Sequence, residues 1–372
     1  MKIPFSNLSR QYESIREEIL DAIDSVFKTG IMLDGIETIK FESKLAHMCN
    51  RKHAVTVNSG TQGLIFAQLA TKTEKTNWDN VLIPEISYVA TLNSTAMANN
   101  YTSYCDVDNK GMMDIVNFSK HIDESLSDLG ITHVMWVNLY GNMIDYNRLV
   151  TVTEMFNTEK ITLIEDAAQS FGSKQNGRPS GSFGDISVLS FDPTKNLNSY
   201  GSGGCILTND DKIYQNLRSL RNNGKDGNGE IGGTNSKMSE ADCATMLVKL
   251  NHFDKWQKRR NDIAEYYIQE LKDKVSIFLP NEGVECNWHK FVIRLGNRDE
   301  VMACMMTQGI ETKVHYDYTL SDFHYRTAQR RFPSVGRTAT ALSNTVLSLP
   351  IYPELSDYEV EQIVISLKSY IP

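Results

Sequence analysis

In "RQYESIREEILDAIDSVFK" (10–28) the apolar residues fall at 12, 15, 19, 20, 23, 26 and 27. That spacing is helical and predicts an amphipathic helix. A second helix is predicted over 36–49. Short, nearly all-apolar runs then alternate with helical stretches. "HAVTVNSG", "NVLIPE", "TSYCDVD", "THVMWVNLYG", "KITLIEDAA" and "DISVLSF" read as strands. "TQGLIFAQLAT", "YVATLNSTAMA" and "YNRLVTVTEMFNT" between them read as helices. Strands without an inside/outside alternation are buried on both faces, so the pattern predicts an α/β protein with a mostly parallel sheet covered by helices.

The texture changes after about residue 210. "KIYQNLRSLRNN" is helical, "GKDGNGEIGGTNSK" is a polar loop, and a long helical region covers roughly 238–273. "HKFVIRL" follows as a strand, "RDEVMACMMTQG" as a helix and "YEVEQIVISLKSYI" as a terminal helix. These elements predict a large domain over 1–250 and a smaller α+β domain over 251–372. A chain of 372 residues, 41% hydrophobic, is long enough for two domains.

Charge narrows the partners. The net charge is −8 with no long basic run, which argues against a nucleic-acid polymer or an anionic membrane. The N-terminal stretch carries no apolar signal segment and no run of 18 apolar residues occurs, so a cytoplasmic location is expected. The six cysteines, at 49, 105, 205, 243, 286 and 304, form no C-x-x-C pair, and no metal site is expected. "GNGEIG" (227–232) matches a dinucleotide fingerprint but lies in polar loop without the strand and helix that motif requires.

Three segments carry chemistry. In "SFDPTKNLNSYGSGG" (190–204), Lys195 stands just past a buried strand and before a run of small residues. A lysine at the mouth of a packed sheet, with glycines clearing space, suits a nucleophile. In "ITLIEDAAQSFGS", Glu165 and Asp166 end an apolar strand, the edge where open α/β sheets bind ligands. In "VNSGTQGLIFAQLA", Ser59, Gly60 and Thr61 open a helix. Its free N–H groups and dipole favour a phosphate, although an ordinary N-cap reads the same way. A lysine amine, a carboxylate and a phosphate-binding helix end together make the protein side of pyridoxal 5'-phosphate (PLP) chemistry.

The assembled motifs resemble the DegT/StrS family of PLP-dependent sugar aminotransferases, within the fold-type I transferases. The resemblance runs from "IPFSNLSRQYESIREEILDAI" through "VLIPEISYVAT", "NLYGN", "IEDAAQSFGS" and "GSFGDISVLSFDPTKNLNSYGSGG" to "VLSLPIYPELSD". It implies that Lys195 forms the Schiff base and shuttles the proton, and that Asp166 pairs with the pyridinium nitrogen. Gln169 would lie beside the ring oxygen and Tyr88 would stack on the ring, whereas outside the family Tyr88 reads as a core aromatic. Gly60, Thr61 and Ser190 would hold the phosphate, and Asn235 would reach the neighbouring subunit's phosphate in a homodimer with shared active sites. His315, Tyr316 and Lys237 would face the substrate. The implied reaction carries an amino group from glutamate to a nucleotide-linked ketosugar. The rivals are a sugar dehydratase of the same family, where a histidine replaces the lysine, and a non-catalytic PLP- or sugar-binding scaffold.

The chain departs from the family pattern at Ser202, Asn223, Asn138 and Lys237, and where prolines usually follow "HY" it has Asp317 and Thr319. All of these are expected near the substrate or a subunit edge.

Overall fold

The computed structural model describes residues 2–72, 78–114, 130–155, 160–225, 232–323, 330–332 and 337–371. Most of "GNGEIG", and with it the centre of the polar loop 224–234, lies outside the described residues. Among the described residues no helix is long and apolar enough to cross a membrane.

The large sheet is built from β1 (His53–Val57), β2 (Asn80–Pro84), β3 (Tyr101–Cys105), β4 (His133–Val137), β5 (Thr162–Asp166), β8 (Ile186–Ser190), β9 (Gly204–Thr208) and β13 (Arg330–Phe332). Their order across the sheet is β1-β9-β8-β5-β4-β2-β3-β13. Only β9 runs against its neighbours, pairing antiparallel with both β1 and β8. The expected mostly parallel α/β sheet is therefore present, and β13 comes to its edge from late in the chain, parallel to β3.

Helices cover both faces, as the apolar strands require. α1 (Leu8–Thr29) and α2 (Ile36–Met48) pack against α7 (Glu240–Leu271). α3 (Gly60–Ala70) and α4 (Ala90–Met97) lie together, with α3 against β8. α5 (Tyr146–Met155) and α6 (Asp211–Arg221) complete the covering helices among the described residues. Gly63 sets the closeness of α3, since a Cβ there would stand 2.7 Å from a Val188 methyl carbon. β6 (Lys174–Gln175) and β7 (Arg178–Pro179) form a hairpin through Asn176 and Gly177, both at positive φ, and β11 (Val284–Glu285) pairs with β6. That is the expected chemistry of a two-residue Asn-Gly turn.

The 32-residue α7 joins two cores. Its first half places Met246, Leu250 and Phe253 in a cluster with Leu189, Phe191 and Leu207 of the large sheet. Its second half places Ile263, Tyr267 and Leu271 in a separate cluster. That second cluster is built on the sheet β10-β12-β14, made of Ser276–Ile277, Phe291–Arg294 and Val346–Leu349. α8 (Arg298–Thr307) and α10 (Asp357–Lys368) contribute to it, and α9 (Arg337–Ser343) lies nearby in chain order. Ile3 is buried in this C-terminal core: its N–H donates to Gly309 O at 2.8 Å and its carbonyl accepts from Glu311 N at 2.9 Å. The first residues of the chain are thus tied into the C-terminal core.

Candidate active site

β5 ends in two carboxylates, and the period-2 alternation of a strand sends them to opposite faces. Ile164 and Asp166 share the face that packs on α3, as do Ile186, Val188 and Ser190 of the neighbouring β8. Leu163 and Glu165 share the other. Asp166 and Ser190 therefore reach the same end of the same face, where β1 hands over to α3.

A cavity of about 370 Å³ lies there. It is lined by Gly60, Thr61, Tyr88, Asp166, Gln169, Ser190, Lys195, His315 and Tyr316, so the fold brings together nine of the eleven expected site residues. Asp166 is 4% exposed, and among the described residues its carboxylate accepts two hydrogen bonds, from Ala168 N at 3.1 Å and Thr91 Oγ1 at 3.2 Å. Burial raises its pKa, against the pull of the Ala168 N–H and the Lys195 ammonium. Burial likewise lowers the pKa of Lys195, against Asp166 and Asp192. A buried amine of lowered pKa is closer to the neutral, nucleophilic form.

The loop carrying Lys195 is fixed from several sides. Its N–H donates to Asp192 O at 2.9 Å, and Asn198 Nδ2 donates to its carbonyl at 3.1 Å. Asn198 in turn accepts Lys249 Nζ on its own carbonyl at 2.9 Å. The sequence shows why the turn is possible: Phe191 N–H donates to Gly203 O and Ser199 N–H to Phe191 O, each at 2.8 Å, so the small residues close the loop on itself.

The start of α3 is capped by Ser59, whose side chain accepts from Gln62 N at 3.1 Å. The N-cap reading is thus correct for Ser59, and the following residues remain at a helix N-terminus facing the cavity. Gly60 lies so near β8 that a Cβ would stand 2.8 Å from Ser190 Cβ. Gly204, between Val57 and Ser190 in the sheet, would bring a Cβ within 2.7 Å of the Ser59 carbonyl. These contacts form a backbone cradle with hydroxyls on two sides, which suits a phosphate. The phosphate cradle, the two-bonded buried carboxylate and the amine at the same strand edge fit PLP.

The remaining expected residues divide. Tyr88 is 53% exposed, its ring 6.2 Å from that of Tyr316, so it sits at the cavity mouth and is not a core aromatic. Gln169 ties the cavity floor together: its Oε1 accepts from Tyr140 N at 3.0 Å and its Nε2 donates to Tyr316 Oη at 3.3 Å. His315 Nδ1 shares a hydrogen bond of 2.8 Å with Ser348 Oγ. Asn235 and Lys237 lie outside the cavity lining. Asn235 is exposed, and Lys237 Nζ pairs with Asp34 at 3.1 Å, beside the Arg221–Asp34 pair at 2.9 Å.

Asn138 corrects an expectation. It does not face the substrate: it is 1% exposed and donates from Nδ2 to Glu165 Oε1 at 2.8 Å, on the opposite face of the sheet. Ser202, by contrast, does line the cavity. Residues that the sequence reading missed also line it: Phe5, Ser6, Ser87, Thr91, Asp192, Thr194, His289, Lys290 and Lys313. Thr91 was within reach, one helical turn after Tyr88. Phe5, Lys290 and Lys313 arrive from the far core, and no local pattern marks them.

Residues 13–368 match the model of the "DegT/DnrJ/EryC1/StrS aminotransferase family". The chain is 32% identical to the erythromycin biosynthesis sensory transduction protein EryC1 of Saccharopolyspora erythraea, covering 99% of this chain and all of that protein. It is 31% identical to the dTDP-3-amino-3,4,6-trideoxy-alpha-D-glucose transaminase of Streptomyces venezuelae, covering 99% and 96%. Among solved structures, S. venezuelae DesV in complex with a ketimine intermediate superposes with a TM-score of 0.91 at 28% identity, covering 99% and 98%. On the strength of a match across nearly its whole length, this protein belongs to the DegT/DnrJ/EryC1/StrS aminotransferase family.

Proposed function

We propose that the protein transfers the amino group of glutamate to a keto group on a nucleotide-linked deoxysugar, as a homodimer with shared active sites. Family membership makes it a PLP-dependent sugar aminotransferase. The observation that carries the reading is the meeting of Lys195, Asp166 and the Gly60–Ser190 cradle in one cavity.

Gly60, Thr61 and Ser190 would hold the cofactor phosphate, and Asp166 the proton of its ring nitrogen. Tyr88 would cover the ring face and Gln169 would lie at the ring oxygen. Bound PLP supplies an electron-withdrawing ring beside the C–H bond that must ionise. Lys195 Nζ, held toward its neutral form by burial, takes the proton from the donor carbon and returns it on the acceptor side. A histidine-for-lysine dehydratase lacks this amine, so Lys195 favours transamination.

The assembly has its own support. Phe27, Ile31, Met32, Leu33, Ile36 and Ile39 are each at least 41% exposed and lie within thirteen consecutive positions. Clustered exposed apolar side chains of this kind mark interaction surfaces. Asp34, the partner of Lys237, sits in the same stretch. A second copy seated there would bring Asn235 and Lys237 toward its neighbour's cofactor and substrate. The six cysteines are unpaired, four of them buried, which suits the reducing cytoplasm we propose for it.

The test is spectroscopic. The holoenzyme should lose its visible cofactor band on addition of glutamate and recover it with a nucleotide-linked ketosugar, responding much less to simple 2-keto acids other than 2-oxoglutarate. Recovery by several unrelated keto acids and by no nucleotide sugar contradicts the sugar reading.

A further inference from the structure

Two lysines in the cavity have no part in the scheme above. Lys290 immediately precedes β12 and Lys313 forms a bridge to Ser348 of β14, the strand paired with β12. Their backbones are held: Lys290 N–H donates to Tyr140 O at 3.3 Å, and Lys313 and Ser348 exchange hydrogen bonds of 3.2 and 2.8 Å. Both ammonium groups stand 5.2 Å from the centre of the Phe5 ring, which itself lies 5.5 Å from the ring of His315. Among the described residues, neither ammonium is in an ion pair. The nearby Glu311 is occupied by Lys2 at 3.5 Å and by the Phe5 N–H at 3.2 Å.

The charge balance of the cavity is one-sided. Its acidic lining residues are Asp166 and Asp192, against Lys195, Lys290 and Lys313. Asp166 is committed to the cofactor ring. Burial first, then Lys195, Arg260 and Lys313, push the Lys290 pKa well down. Three lysines against two carboxylates, one of them reserved for the cofactor ring, leave the cavity suited to an anion. The cofactor phosphate has its own cradle at Gly60 and Ser190, whereas the lysine pair gathers at Phe5 and His315.

We infer that Lys290 and Lys313 form a carboxylate-binding subsite beside the reacting amine, flanking Phe5, for a carboxylate carried within a few bonds of the carbon that gains or loses nitrogen. The inference rests on the aminotransferase reading. Lys290 and Lys313 line the same cavity as Lys195, so the anion belongs near the reacting carbon and not on a distant diphosphate. Among the described residues no arginine lines the cavity, and the lysine pair takes the place of a guanidinium clamp. The carboxylate can come from the glutamate donor or from an acidic sugar acceptor, and both present the same group.

The test is calorimetric titration of the holoenzyme with glutarate, a dicarboxylate that cannot transaminate. Lys313→Gln and Lys290→Gln should each weaken glutarate binding by about tenfold, the scale of a lost hydrogen bond to a charged group, while Lys313→Arg should stay near wild type. Lys313 is exposed, so its variant decides the matter even where Lys290→Gln fails to fold. Slower reaction with glutamate in the variants assigns the carboxylate to the donor. Slower return with a keto-uronate nucleotide, but not with a neutral ketosugar nucleotide, assigns it to the acceptor. Unchanged glutarate binding in Lys313→Gln, or an equal loss with neutral ketosugars, overturns the subsite. If the wild-type cofactor spectrum ignores every amino donor while glutarate binding still depends on Lys313, the aminotransferase reading fails and the subsite stands.

Discussion

Glu165 and Asp166 are consecutive carboxylates, both buried at the end of one strand, and they live in opposite surroundings. Glu165 is saturated by the protein. It accepts from Asn138 Nδ2 at 2.8 Å, Ser187 Oγ at 2.8 Å, Phe183 N at 3.0 Å and Gly181 N at 3.1 Å, with Arg51 nearby as countercharge. Arg51 is equally engaged, donating to Gly181 O at 2.9 Å and Ser187 Oγ at 2.8 Å. Asp166 has two donors and one lysine, and its remaining acceptor capacity points into a cavity. Burial raises both pKa values, so burial alone does not distinguish a structural acid from a functional one. The number of protein partners does, because a group reserved for a ligand must be left incompletely satisfied.

The largest expected effect lies on the cavity side. Lys195→Ala removes the amine that stands beside Asp166, and turnover and the visible cofactor band should both disappear while added PLP is still retained through its phosphate. Absorption spectra and a coupled assay check this, and a variant keeping both band and activity breaks the distinction. Next comes the saturated side. Glu165→Gln faces the Gly181 and Phe183 N–H groups with an amide and leaves Arg51 buried without its countercharge. A loss of about 3–5 kcal/mol is expected, the cost of breaking a buried pair, read as a shifted urea midpoint at constant slope.

A smaller effect sharpens the same contrast with a cation. Lys249 is fully buried against Asn198, its Nζ 3.5 Å from the centre of the Tyr200 ring. Burial pulls its pKa down to about 7 from 10.5, with Glu354 opposing. Between those values the unfolded chain binds a proton that the folded chain does not, so stability should rise as pH rises from about 7 to 10.5 and be lost as pH falls back. The slope is bounded at about 1.4 kcal/mol per pH unit. Lys249→Met should flatten the difference between denaturation curves at pH 7 and 9.

Much of this was legible in the sequence, and for a definite reason. Lys195, Asp166 and Gly60 each sit where an apolar strand ends, so local pattern alone points to the sheet edge. The family motifs then add Tyr88, Gln169, Ser190, His315 and Tyr316, which no periodicity marks. Asn138 was misplaced because its side depends on how the turn after β4 folds under the sheet toward Glu165, and a position in sequence does not state a face. Phe5, Lys290 and Lys313 were invisible because the far core delivers them: Ile3 is tied to Gly309 and Glu311, contacts spanning some 300 residues. The short strands β6, β7, β10 and β11, two residues each, carry no periodic signal at all.

The division between the two carboxylates is tested most directly on Asp166→Asn, by measuring the rate at which glutamate bleaches the cofactor band together with the urea unfolding midpoint. The substitution keeps the shape and removes the charge that holds the ring proton. The account predicts a rate lower by on the order of 10²-fold or more, with a midpoint close to wild type because little protein structure depends on that charge. A near-normal rate, or a loss of stability as large as that of Glu165→Gln, would contradict it.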